Sequence, residues 1–179
     1  MEDDSVPAVV ARLLDVLETT APGAERQAAL ATYARTTQHE LDVTEQLVAA
    51  LYSCMADPAL FKRLSLLYFA AASYSETVRR LARPHLAPGF LLNQHPQFGA
   101  EVRACAALAA GASHGPARVA LFERIDRAIE PFDTAGLLDR TRRDWYPVLA
   151  DDLVSSAAKL EASATDVQRL LVRCGLVSC

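Results

Sequence analysis

The stretch KRLSLLYFAAASYSETVRRLAR, Lys62 to Arg83, decides how this chain folds. It opens basic, turns apolar, passes through the alanines at 70–72 and closes on Arg79, Arg80 and Arg83. Helical spacing places Leu64, Leu67, Tyr68, Ala71, Ser75, Val78 and Arg79 along one broad side, and Leu66, Ala70, Ser73 and Thr77 more to the other. A helix that is apolar around most of its girth is central and packs on at least two sides. Asp57-Pro58 supplies a cap and a proline in the first turn, and Pro84 disfavours helical geometry in the residue before it. The closing arginines oppose the negative end of the helix dipole. Small side chains followed by guanidinium forks also describe the wall of a ligand groove. The residues alone leave both readings open.

Outward from this helix, helix signals recur and strand signals are nearly absent. Pro7 opens a stripe of Val9, Val10, Leu13, Leu14 and Leu17, and Ala-Pro-Gly at 21–23 breaks it. A second helix is expected from Ala24 to Thr36, and a third from the capping-box spacing of Asp42 and Glu45. Residues 84–97 hold three prolines and a glycine and read as loop. Helices follow over 98–111 and from Pro116 to Pro131. Asp133 is expected to cap another that ends near Tyr146, and the last two are expected over 148–160 and 165–174. The last has a Thr165–Gln168 capping box and Gly175 as its stop. The expectation is an all-α chain of about eight to nine short helices, either a superhelix or an irregular bundle. It has tails at 1–6 and 175–179 around one helical domain, 7–174.

At 179 residues, 51% apolar and 22% charged, the chain has enough apolar material for a continuous core. Its net charge of −4 gives no general attraction for nucleic acid, so direct nucleic-acid binding is not expected and any anion site must be local. Every cation except Lys62 and Lys159 is arginine, whose planar fork matches phosphate. Cys54, Cys105, Cys174 and Cys179 form no C-x-x-C, and the four histidines show no metal-ligand spacing, so no metal or cofactor is expected. The acidic start MEDDSVP lacks the pattern of a secretory leader, and no apolar run reaches membrane-spanning length. The expectation is an intracellular protein with reduced thiols and no membrane partner. There is no Walker loop, H-E-x-x-H or G-x-S-x-G. Asp151–Asp152 suits a helix start, and His39, beside Glu40, suits a surface role, so no enzyme is expected.

Three segments carry a family likeness. LATYART at 30–36, KRLSLLYF at 62–69 and ARVALFERIDRAIEPF at 117–132, followed by the basic LLDRTRRDWYPVL at 137–149, resemble the CTD-interacting domains. These helical domains bind the phosphorylated heptad-repeat tail of RNA polymerase II. The likeness runs from about Val9 to Leu153 and rests largely on core patterning shared with VHS and ENTH superhelices. It implies a right-handed superhelix, a phosphorylated extended peptide as partner, and a nuclear role in transcription or RNA processing. Ala71-Ala72 stands where the family carries Asp-Ser, Ser75-Glu76 stands where it carries Lys-Asn, and residues 77–115 exceed its usual connection. By resemblance, Arg142 or Arg143 takes the place of the phosphate-reading arginine, with Arg140 one turn earlier. The expected groove has Tyr68, Ala71, Ala72 and Ser75 along it, Arg79 and Arg80 at one end, and Arg140, Arg142 and Arg143 at the other. A VHS/ENTH-like trafficking adaptor and a viral Bcl-type helix binder are the alternatives.

Overall fold

The computed structural model describes residues 8–112, 114–142 and 148–177. Among these there are seven α-helices, four short 3-10 turns and no strand, so the fold is all-α. The helices are α1 (Ala8–Thr19), α2 (Ala24–Ser53), α3 (Pro58–Arg80), α4 (Phe98–Ala109), α5 (Gly115–Ile129), α6 (Ala150–Ser155) and α7 (Ala164–Arg173). The chain divides into two units, residues 1–45 and 46–179, with the boundary inside α2.

In the first unit, Arg12 on α1 donates through both terminal nitrogens to Glu40 on α2. Glu40 is 3% exposed, so removing Arg12 would take a charged partner from a buried carboxylate. Arg26 donates to the carbonyls of Leu17 and Thr20 at 3.0 and 2.6 Å, satisfying the open end of α1.

In the second unit α3 is the central element, packed on α4, α5 and the 3-10 turns at 84–86 and 90–92. The Asp57 carboxylate accepts from the Leu60 amide at 3.1 Å, and Pro58 occupies the first turn, as the sequence predicts. Leu64, Leu67, Ala70 and Val78 are fully enclosed. Tyr74 donates to the Lys159 carbonyl at 2.9 Å and meets Phe132 edge-on, with Phe98 and His95 against the same ring. That aromatic cluster ties the loop at 84–97 and the end of α5 to α3.

Several expected boundaries move. Residues 24–53 form one helix where two were expected, because they contain neither glycine nor proline to end it. Asp42 lies mid-helix, accepting from Gln38 at 2.8 Å instead of capping. The helix expected after Asp133 is absent over 134–142, and the rest of its span, 143–146, lies outside the described residues. The Asp133 carboxylate instead accepts from the amides of Ala135, Leu137 and Leu138, and Gly136 has φ +68°, which folds the backbone into a tight loop. At α7 the capping box is Ser163–Asp166, two residues before the expected pair. The segment 148–160 is split into α6 and a 3-10 turn at 157–160.

Candidate anion-binding site

The residues expected along the groove divide by depth. Ala71 is 1% exposed and part of the core, Ala72 and Ser75 are half-buried, and Tyr68 is exposed with its ring edge-on to Phe69. The Ser75 hydroxyl is buried without a hydrogen-bond partner. The alanines at 70 and 71 therefore serve close helix approach inside the core, which is what small side chains permit.

The end of α3 is different. Its last turn closes in a Schellman arrangement: the Arg83 amide donates to the Val78 carbonyl at 2.8 Å and the Ala82 amide to Arg79 at 3.0 Å. The left-handed position is taken by Ala82, φ +58°, a conformation that favours glycine. This turn sends Arg83 back toward the 3-10 turn at 157–160, where its Nη1 donates to the Leu160 carbonyl at 3.1 Å. The end of α7 has the same arrangement with Gly175, φ +69°, in the left-handed place. The two helix ends meet: Arg173 Nη2 donates to the Arg80 carbonyl at 2.6 Å, and Arg80 Nη1 donates to the Cys174 sulfur at 3.3 Å.

Between them lies an open cleft of about 340 Å3, lined by Arg80, Arg83, Asp166, Arg169 and Arg173, with Leu81, Ala82 and Leu170 supplying its apolar surface. Arg79 and Arg80 share Glu76, and their donated hydrogen bonds, Arg79 foremost, hold its carboxyl below the ordinary range. Asp166 is held below its usual range chiefly by the Ser163 hydroxyl and amide, and further by the charges of Arg169 and Arg83. Arg169 reaches Asp166 only at 3.4 Å and its side chain is 76% exposed.

The other expected arginines lie apart from this cleft in structural setting. Arg142 sets both terminal nitrogens on the two oxygens of Asp152 and has Asp139 at 3.4 Å. A Cβ on Gly136 would lie 2.6 Å from Arg142 Nη1, so the guanidinium is packed against backbone. Arg140 is a solvated side chain 3.2 Å from Asp126. Arg143 lies outside the described residues. Arg83, Arg169 and Arg173 were not among the expected site residues. Arg169 and Arg173 stand at i, i+4 and so share one face of α7, but no local pattern ties that face to α3.

Two further hollows have weaker chemistry. One, about 450 Å3, lies beside α4 and α5 against Phe98 and Phe132, with Arg124 already paired to Glu101. The other, about 630 Å3, has Cys54 and His114 in its lining, and its Asp57 and Arg118 are hydrogen-bonded to each other. Burial pushes the Cys105 thiol up to about 11, which keeps it protonated and inert. Among the described residues no group of three His, Cys, Asp or Glu side chains is placed to hold a metal ion, and no helix is long and apolar enough to cross a membrane. No family model matches the chain, and neither a curated protein nor a solved structure matches it.

Proposed function

We propose that this chain is a non-catalytic module that binds a phosphorylated, extended polypeptide. By its resemblance to the CTD-interacting domains, the expected partner is the heptad-repeat tail of RNA polymerase II, in nuclear transcription or RNA processing. The observation that carries this reading is the surplus of guanidinium at the end of α3. Elsewhere in the second unit three arginines are matched one to one with carboxylates: Arg142 with Asp152, Arg124 with Glu101 and Arg118 with Asp57. At the α3 corner four guanidiniums line a cleft that contains one carboxylate. Guanidinium forks are the protein groups best suited to phosphate, and charge-assisted bonds of this type are among the strongest a surface can offer. The chain as a whole is acidic, so this attraction is local and selects a charged group on an otherwise modest ligand.

The test is calorimetric titration of the protein with heptad peptides, phosphorylated and unphosphorylated. Phosphorylation is expected to tighten binding by about tenfold or more, the worth of one or two charge-assisted hydrogen bonds. Equal affinity, or none for either peptide, removes the reading.

A further inference from the structure

The cleft between the ends of α3 and α7 is built for one particular group. Glu76 is shared by Arg79 and Arg80, so these three groups together carry one positive charge, and Arg83, Arg169 and Arg173 face Asp166. Two helix C-termini also point here, each worth roughly half a negative charge. About two positive charges remain uncompensated, which is the charge of a phosphate monoester dianion.

The hydrogen bonding points the same way. Each guanidinium has five N–H donors and no acceptor. Arg83 and Arg173 each spend one terminal nitrogen on a backbone carbonyl, a use that fixes the fork without neutralising it. Arg80 keeps its Nε on Glu76 at 2.5 Å and rests Nη1 on the Cys174 sulfur, a weak acceptor that a phosphate oxygen displaces readily. Arg169 is held only by a long contact to Asp166 and is free to swing over the opening. The forks come from two helices and the turn after α3, and they line one cleft. A tetrahedral group with three terminal oxygens uses such an arrangement, whereas a planar carboxylate satisfies one fork. The small apolar surface of Leu81, Ala82 and Leu170 beside the cationic wall leaves room for the chain that bears the phosphate.

We infer that the cleft lined by Arg80, Arg83, Arg169 and Arg173 is a phosphomonoester subsite that anchors a phosphorylated side chain of the peptide. The identity of the bearer, though not the affinity for phosphate, rests on the functional reading above. Arg140 and Arg142 are not part of this subsite.

The experiment uses the full chain and three probes: phosphoserine, a phosphorylated heptad peptide, and phosphatidylcholine vesicles containing a phosphoinositide. Each is titrated against the natural sequence, Arg169→Lys and Arg169→Glu, and melting curves are recorded for all three proteins. Arg169 is exposed and holds up no buried group, so its variants are expected to melt as the parent does. Expected are peptide binding that phosphoserine competes away, a loss of about tenfold or more in Arg169→Glu, and an intermediate loss in Arg169→Lys, which keeps the charge and forfeits the fork. Phosphoserine binding that depends on Arg169, with no gain for the peptide, supports the subsite and overturns the peptide as bearer. Vesicle binding tighter than peptide binding, with the same dependence on Arg169, does likewise and assigns a lipid headgroup. Phosphopeptide binding that is unchanged in Arg169→Glu and in a second variant, Arg83→Gln, overturns the subsite while the peptide reading survives.

Discussion

The middle of α3 and its last turn belong to one helix and behave in opposite ways. Through the middle, Leu64, Leu67, Ala70 and Ala71 are enclosed on all sides, and the small residues let neighbouring helices approach. One turn past Val78 the helix leaves the core, stops on a left-handed alanine, and presents arginines that outnumber their acids. The contrast teaches that small side chains in a central helix mark close packing, while a ligand site needs charge without a protein partner. Alanine runs and arginine runs carry separate information even when they adjoin.

The largest expected effect tests the enclosed half. Ala71→Leu forces extra methylenes into a filled interior and is expected to lower stability by about 2 kcal/mol in urea unfolding. Affinity of the folded protein for a phosphopeptide should stay unchanged. A variant of normal stability that no longer binds peptide would make the alanines a groove floor after all.

A smaller change of opposite sign sharpens the other half. Ala82→Gly relieves a left-handed alanine and is expected to raise stability by about 1 kcal/mol, since the Schellman hydrogen bonds around it remain. An unaltered or lowered unfolding midpoint would contradict the backbone account of this corner.

The start of α3 has a pH signature. The hydrogen bond from Arg118, with that from the Leu60 amide, lowers Asp57 from its ordinary 3.8 to about 2. A carboxyl depressed on folding contributes stability above its unfolded pKa and loses that contribution as pH falls through the folded value. The natural sequence should therefore lose part of its stability between about pH 4 and 2. Asp57→Asn keeps a capping side chain but cannot ionise, so its melting temperature should fall less steeply over that window. Parallel curves would show that Asp57 has no differential titration.

The smallest expected effect on binding is none at all. Arg142→Gln removes a fork that Asp152 already occupies, so it should lower the melting temperature and leave phosphopeptide affinity as it was. Loss of affinity in this variant would move the phosphate site away from the α3–α7 corner.

The sequence made most of this architecture legible. The girth of α3, its Asp57-Pro58 start, the prolines of 84–97 and the all-α character follow from periodicity and from residues with fixed backbone preferences. The unbroken α2 was missed because a capping spacing at Asp42 was given more weight than the lack of any breaker around it. The loop after Asp133 was missed because one buried carboxylate accepting three amides has the same local pattern as a helix cap. The arginine ends Arg79 and Arg80 were visible, but their neighbours on α7 lie about ninety residues away in sequence. Only tertiary packing brings Arg169 and Arg173 to them. Counter-ions were invisible for the same reason: nothing local shows that Asp152 takes Arg142 while Arg169 reaches Asp166 only loosely.

Chemical-shift mapping of amides during titration with a phosphorylated heptad peptide tests the central claim most directly. The expected shifts cluster at residues 79–83 and 166–174, with 68–75 and 140–142 little changed. Shifts concentrated along 68–75 and 140–142, with the α3–α7 corner silent, would contradict it.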